Sequence, residues 1–381
     1  MADKSRTYRI FLSAAEHSAD AHCANLITSL NTTGYNFEFS GIGGDKMESA
    51  GCALVEKTVH NSAMLYNVVV RLGDYVKLLW RVKRHLKTIK PDLVVLCDSP
   101  ALNFHIAKAA KAVNAKTLFY VAPQLWAWGK WRMNKLRCLC DKLCCILPFE
   151  KDFFIQHGLE SEYVGNPLLD DLNLKFENNC KSYDGYDPNN INIALMPGSR
   201  QAEIKTLWEP MQKIALAIRK KHPNASFTTV APDAEKQEVL KSILVPGFRC
   251  RYRLNEVYQT ACDCDLALIA SGSATLQTAA AGCPMIVMYQ SNKLMWYIAG
   301  RWLLKIKNLS LVNILAQERA VPEFMPYFNS IDPIVDVALN LCKNKTELAA
   351  VSRKLVEISS RLKTSTPAAD CVAEILVNML E

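Results

Sequence analysis

The sequence predicts an α/β protein built of two doubly wound domains in tandem. Three observations carry that prediction. Short apolar runs alternate with segments of helical apolar spacing along most of the chain, the pattern of parallel sheets covered by helices on both faces. The alternation breaks at NLKFENNCKSYDGYDPNN (173–190), where Asn, Asp, Gly and Pro accumulate and little could form a core; a domain linker is expected there. At 381 residues, half of them hydrophobic and 22% charged, the chain is long enough to bury two cores. The expected division is a first domain over 1–172, a linker over 173–190, a second domain over 191–345, and a helical tail over 346–381 that packs back on the first domain.

In the first domain, strands are expected at YRIFLSA (8–14), NFEFSGI, DLVVLCD (92–98), KTLFYVA (116–122), KLCCILPF and SEYVG. Each is a short apolar run bounded by turn residues. Segments 72–89 and 103–114 carry apolar residues at helical spacing. The rhythm restarts after the linker with strands at INIALMPG, ASFTTVAP, DLALIASG and PMIVMYQ, helices at 201–221, 234–243 and 273–282, and a mostly helical 332–381. Two such domains place a cleft between the carboxyl ends of two sheets.

The net charge of +8 points to an acidic partner: phosphate groups, nucleic acid or an anionic membrane face. The start, MADKSRTYRIFLSAAE, lacks the layout of a signal peptide, so the 14 cysteines are expected to be reduced thiols of a cytosolic protein. Cys138, Cys140, Cys144 and Cys145 form no paired C-x-x-C, and Cys144 and Cys145 lie inside the apolar run KLCCILPF, so the four read as core thiols; Cys262 and Cys264 read the same way. No run is long enough and apolar enough to span a bilayer. Two basic, aromatic-rich segments, Met64–Lys90 and 293–307, fit either helices covering a sheet or peripheral contact with an anionic leaflet.

Two strand-to-helix turns of the second domain consist of small, backbone-exposing residues: Pro197-Gly198-Ser199-Arg200 and Ser271-Gly272-Ser273-Ala274-Thr275. Such turns suit a phosphate at a helix N-terminus, and Arg200 suits a diphosphate. In the first domain, Asp98 ends an apolar strand just before Pro100; it either faces the cleft or caps the next helix. Glu16, Ser18 and Asp20 follow the first strand and allow the same two readings. The turn with Gly41, Gly43 and Gly44 lacks the G-x-G-x-x-G spacing of a dinucleotide oxidoreductase. His17, His22 and His105 lack the surroundings of a nucleophile or the spacing of metal ligands, and read as ordinary polar residues. Of the clustered Trp126, Trp128 and Trp131, at least two are expected in the core.

In order, GIGGDKM, DLVVLCDSP, YVAPQLWAW, LPFEKDFF, YVGNPLLD, LMPGSRQAEI, ASGSATLQ and LVNILAQERAVPEF resemble the lipid-A-disaccharide synthases, from about residue 8 to about residue 330. The resemblance implies the GT-B architecture and an inverting glycosyltransferase of lipid A (lipopolysaccharide) biosynthesis. It would move 2,3-diacylglucosamine from UDP to the 6-hydroxyl of 2,3-diacylglucosamine 1-phosphate, releasing UDP and a β-1,6-linked disaccharide phosphate. On the resemblance, Asp98 is the general base and Gly198, Ser199, Arg200, Ser271, Gly272, Ser273, Gln277 and Asn313 bind the UDP donor. Glu16, Ser18, Asp20, Asn103 and Trp126 are acceptor-site candidates. No metal, no cofactor and no nucleic acid is implied; Asp263 and Asp265 read as structural. The implied location is cytoplasmic, in peripheral contact with the inner membrane, and the apolar tail offers a homodimer surface.

The sequence departs from the family pattern at Ala15 and Ala19, where glycines are usual, at Ala101, at Asn166 and at Gln277, usually acidic. These departures keep two alternatives open: a related transferase with a different acceptor, or a descendant that binds a UDP-sugar without turnover.

Overall fold

In the computed structural model, which describes residues 5–59, 72–127, 129–170, 172, 183–291 and 308–381, the apolar runs become two parallel sheets. The chain divides into two units, Met1–Asp170 with Thr364–Glu381, and Asp171–Lys363. The first contains β1 (Thr7–Ser13), β2 (Asn36–Gly43), β3 (Ala53–Lys57), β4 (Leu93–Cys97), β5 (Lys116–Tyr120), β6 (Lys142–Cys145) and β7 (Ser161–Tyr163) in the order β3-β2-β1-β4-β5-β6-β7. The second contains β8 (Asn192–Met196), β9 (Ser226–Ala231), β10 (Arg251–Leu254), β11 (Leu266–Ala270), β12 (Met285–Met288) and β13 (Glu323–Phe324) in the order β10-β9-β8-β11-β12-β13. In both sheets the first strand lies inside and the winding reverses beside it, between β1 and β4 and between β8 and β11. Ligands of doubly wound sheets bind at such switch points, outside the carboxyl ends of the strands.

Consecutive strand residues point to opposite faces, and both faces of the first sheet are covered. Leu12, Val95 and Leu118 pack with helices His17–Asn31 and Ala368–Leu380, whereas Phe11, Val94 and Phe119 pack with Leu72–Ile89 and Pro100–Lys111. A strand buried on both sides reads as an unbroken apolar run, which is why these strands were visible in the sequence. Three others were not: β3 and β10 are edge strands with polar or half-exposed residues (ALVEK, RYRL), and β13 has only two residues. The second core packs Ile193, Leu195, Leu266 and Leu268 against Trp208, Met211 and Ile214 of helix Gln201–Lys221.

Two expectations about organisation change. The end of the presumed linker is part of the second core: Tyr183 is buried and donates its hydroxyl to Asp265 O at 3.0 Å, and Tyr186 donates to Cys342 O at 2.6 Å. Aromatic side chains outweigh the turn-rich composition around them; residues 173–182 lie outside the described residues. The tail divides as well. Helix Lys345–Ser360 stays in the second unit, packed against helix Ala274–Ala280, and only Ala368–Leu380 joins the first unit, against helix His17–Asn31. There it buries Val372, Ala373 and Leu376.

Cys140, Cys144, Cys145 and Cys264 are buried thiols, as read from the sequence, but Cys138 is exposed and Cys262 half-buried, each on a short helix that turns it outward. Among the described residues no cluster of His, Cys, Asp or Glu has an arrangement that could hold a metal ion. None of the described helices is long and apolar enough to cross a membrane.

Candidate active site

At the second switch point, β8 runs into the turn Pro197–Arg200 and helix Gln201–Lys221 follows. Gly198 has φ 101°, and a Cβ there would sit 2.2 Å from Glu203 Oε2, so both backbone and packing demand glycine. Glu203 Oε2 accepts the backbone N–H of Arg200 at 3.2 Å, and its Oε1 lies 3.5 Å from Arg200 Nη1. The guanidinium side chain is 59% exposed. Across the switch point, the turn after β11 is anchored by Ser271 N donating to Met288 O at 3.0 Å and by Thr275 Oγ1 donating to Gly272 O at 2.7 Å. The two turns line one cavity of about 270 Å³, with Gly198, Ser199, Arg200, Ser271, Gly272, Ser273 and Gln277 in its wall. Helix starts, small-residue turns and a guanidinium are chemically suited to an anion.

Asn313 is not brought to that cavity. It is fully buried, its Nδ2 donates to Val321 O at 2.9 Å and Glu323 Oε2 at 3.0 Å, and its Oδ1 accepts from Val321 N at 2.9 Å. Its amide folds the segment between helix Leu311–Ala316 and β13.

At the first switch point, Asp98 and Ser99 have φ 50° and 40°, two successive non-glycine residues in left-handed conformation. Each costs roughly 1–3 kcal/mol and persists only where its surroundings impose it. Asp98 N donates to Tyr120 O at 3.0 Å on β5. Asn103 Nδ2 donates to Asp98 O at 2.6 Å and Cys97 O at 3.1 Å, while its Oδ1 accepts the Ser13 hydroxyl of β1 at 2.6 Å. The turn is thus tied to β1, β4 and β5 at once. The N-cap position of the following helix belongs to Ser99, which leaves the half-buried Asp98 carboxyl outside the cap position.

Glu16 is half-buried and Ser18 exposed, at the carboxyl end of β1, the strand beside β4. Three other acceptor-site expectations need correction, because their polar atoms already have structural partners. Asp20 is buried and accepts the backbone N–H groups of Gly44, Lys46 and Met47 at 2.7, 3.2 and 3.2 Å. It is a cap, as its type allowed, but of the distant helix Asp45–Ser49, and a Cβ on Gly44 would lie 2.6 Å from its Oδ2. Asn103 is fully buried in the contacts above. Trp126 is buried and donates Nε1–H to Glu150 Oε1 at 2.8 Å, with its ring edge-on to Phe149. Trp131 is 72% exposed, in a single-turn helix at the surface, and Trp128 lies outside the described residues, so of the two core tryptophans expected one, Trp126, is seen buried.

The alanines at the departures cause no backbone conflict. Ala15 and Ala19 are fully packed on opposite faces of the first sheet, and neither takes a positive φ. Burial, then Lys46, pushes the His22 imidazole down to about 4, which keeps it neutral at ordinary pH. Two carboxylates, one lining the cavity and one buried behind Trp126, went unnoticed in the sequence. Glu203 and Glu150 both stand three residues after a helix N-cap, the spacing of a capping box, and that was the available signal. Burial pushes the Glu150 carboxyl up to about 7 against the pull of its N–H donors.

The lipid-A-disaccharide synthetase profile matches residues 10–375. The chain belongs to this family. A lipid-A-disaccharide synthase of Nitrosococcus oceani is 32% identical over 375 residues, covering 97% of this chain and 95% of that protein. Lipid-A-disaccharide synthase 1 of Legionella pneumophila is 31% identical, covering 95% of each. Among solved structures, a UDP-N-acetylglucosamine 2-epimerase of Listeria monocytogenes superposes with TM-score 0.64 at 12% identity, covering 98% of this chain and 97% of its own. The glycotransferase of kitacinnamycin superposes with TM-score 0.59 at 12% identity, covering 99% and 100%. These likenesses show the GT-B type of fold. As a member of the lipid-A-disaccharide synthetase family, the chain is a glycosyltransferase of lipid A disaccharide synthesis.

Proposed function

We propose that the chain transfers 2,3-diacylglucosamine from its UDP donor to the 6-hydroxyl of 2,3-diacylglucosamine 1-phosphate, with Asp98 as general base. The observation that carries the reading is the strained, triply anchored Asp98 turn at the first switch point. Strain of this kind concentrates where geometry serves function. Asp98 takes the proton of the acceptor hydroxyl; that oxygen bonds to the anomeric carbon as the bond to the UDP oxygen breaks on the opposite face, inverting the configuration. The charge gathering on the diphosphate is met by the N–H groups of the Gly198-Ser199 and Ser271–Ser273 turns and by Arg200. Gln277 accounts for ribose hydroxyl contacts, with a weaker acceptor than a carboxylate. Asn313 acts indirectly, by holding its segment. Glu16 and Ser18 contact the acceptor.

The protein works at the cytoplasmic face of the inner membrane. Helix Leu72–Ile89 supports this: it buries Val82 and Leu86 but exposes Val76 and Trp80 at 56% and 60%, at i and i+4, among exposed Lys77, Lys83, Arg84 and Lys87. An apolar stripe flanked by cations suits an anionic leaflet. Segment 293–307 and the first part of Met64–Lys90, to residue 71, lie outside the described residues.

The test is an assay of the purified protein with both diacylated sugars in mixed micelles, following UDP and the disaccharide by mass. Both products are expected. UDP binding without product, or transfer only to a non-acylated acceptor, overturns the reading.

A further inference from the structure

Glu150 buries a carboxylate where a neutral cap would serve. It is 1% exposed and stands in the first turn of helix Pro148–Gln156. Its Oε2 alone does the capping, accepting the backbone N–H groups of Ile146 and Leu147 at 3.2 and 3.1 Å. The other oxygen reaches out of its own turn and accepts Trp126 Nε1–H at 2.8 Å. Trp126 belongs to the loop that leaves β5, and that loop starts from Val121 at φ 64°, an uncommon conformation for a β-branched residue. The residue before it, Tyr120, is the β5 partner of Cys97 and accepts the backbone N–H of Asp98 at 3.0 Å. A continuous set of contacts therefore runs from Glu150 through Trp126 and the 121–127 loop to the Asp98 turn.

We infer that Glu150 is a positioning residue for the transfer reaction, fixing Trp126 and through it the loop that borders the Asp98 turn. Ionised, as it is above about pH 7, it holds three N–H donors with two oxygens and no donor of its own. A glutamine cannot do this, because one end of its amide is an NH₂ group that would face a donor. Gln124 is the exposed side chain of this loop. The inference rests on the reading of Asp98 as the base acting on the acceptor.

The test combines two measurements on the full-length protein, for Glu150→Gln, Trp126→Phe and the double variant. Amide hydrogen exchange reads the loop directly. At least tenfold faster exchange in 121–127, with helix Gln201–Lys221 unchanged, is expected in both single variants; unchanged exchange in either overturns the inference, whether or not turnover is seen. Acceptor kinetics then read the consequence. Each single variant is expected to lower kcat/KM for the acceptor about tenfold while UDP affinity stays the same, and the double variant to be no worse than either single. Losses that multiply in the double variant would mean that Glu150 acts only as a cap, independently of Trp126. Trp126→Phe keeps an aromatic ring in the site but loses the N–H together with the five-membered part of the indole, and it carries the test if Glu150→Gln fails to fold. Wild-type protein without transfer activity would overturn the reading of Asp98 and leave the exchange result to judge Glu150.

Discussion

Asn103 donates to the carbonyl oxygen of Asp98 at 2.6 Å and accepts the hydroxyl of Ser13 at the same distance, so one buried amide joins the Asp98 turn to the neighbouring strand. Asn103→Ala would leave the Ser13 hydroxyl and two carbonyls without this partner. Each buried polar group so orphaned costs roughly 1–3 kcal/mol. A loss of about 2–4 kcal/mol by denaturant unfolding is expected on that basis, together with a fall in kcat and unchanged UDP affinity. Full kcat in a destabilised variant would show that the turn does not depend on this amide.

Asp98→Asn tests the base separately from the turn. The anchors of the turn are backbone groups, and asparagine tolerates left-handed backbone well, so the melting temperature should stay within a few degrees. Loss of general base catalysis is worth about 10²–10⁴-fold in kcat. Calorimetry should find UDP binding unaltered; turnover near the wild-type rate would remove Asp98 from the chemistry.

Arg200→Ala should weaken UDP binding by about ten- to a hundredfold, the scale of a charge-assisted contact of roughly 1.5–3 kcal/mol. Gly198→Ala should do at least as much harm by another route: its Cβ would meet Glu203 Oε2 at 2.2 Å and its φ of 101° disfavours any side chain. An alanine variant with normal UDP affinity and normal stability would mean that the turn is not built as described.

His22 and Glu150 pull the pH dependence of stability in opposite directions. The imidazole sits at about 4 against an ordinary 6.5, so the unfolded chain binds more protons in that window and stability falls as pH drops through it. The Glu150 carboxyl sits at about 7 against an ordinary 4.5, so the folded chain binds more protons and stability falls as pH rises from 4.5 to 7. Between about pH 4.5 and 6.5 the two nearly cancel, each worth roughly 1 kcal/mol per pH unit. Glu150→Gln should therefore lose stability on acidification more steeply than the wild type, and His22→Gln less steeply. Parallel stability profiles for all three proteins would contradict this account.

Much of the scaffold was legible because buried parallel strands are unbroken apolar runs. Helix Gln201–Lys221 came with the bounds the periodicity suggested, and both switch-point turns were visible as small residues after such runs. What stayed hidden depended on partners far along the chain. Asp20, Asn103 and Trp126 have types that suit either a ligand or a structural contact, and their partners Gly44, Ser13 and Glu150 are 24, 90 and 24 residues away. Tyr183 misled in the opposite sense, since one buried ring can draw a turn-rich segment into a core.

The return of helix Ala368–Leu380 to the first unit makes the second unit an uninterrupted insert within it. During synthesis the ribosome therefore completes residues 171–363 before the first unit has its last helix, and domains generally fold as they emerge. Until then, the sheet face formed by Leu12, Val95 and Leu118 lacks the cover of Val372 and Leu376 and is exposed to misassembly. A nascent chain stalled short of residue 368 should hold a finished second unit and an unfinished first unit that chaperones recognise, and removal of residues 368–381 should harm solubility more than their number suggests.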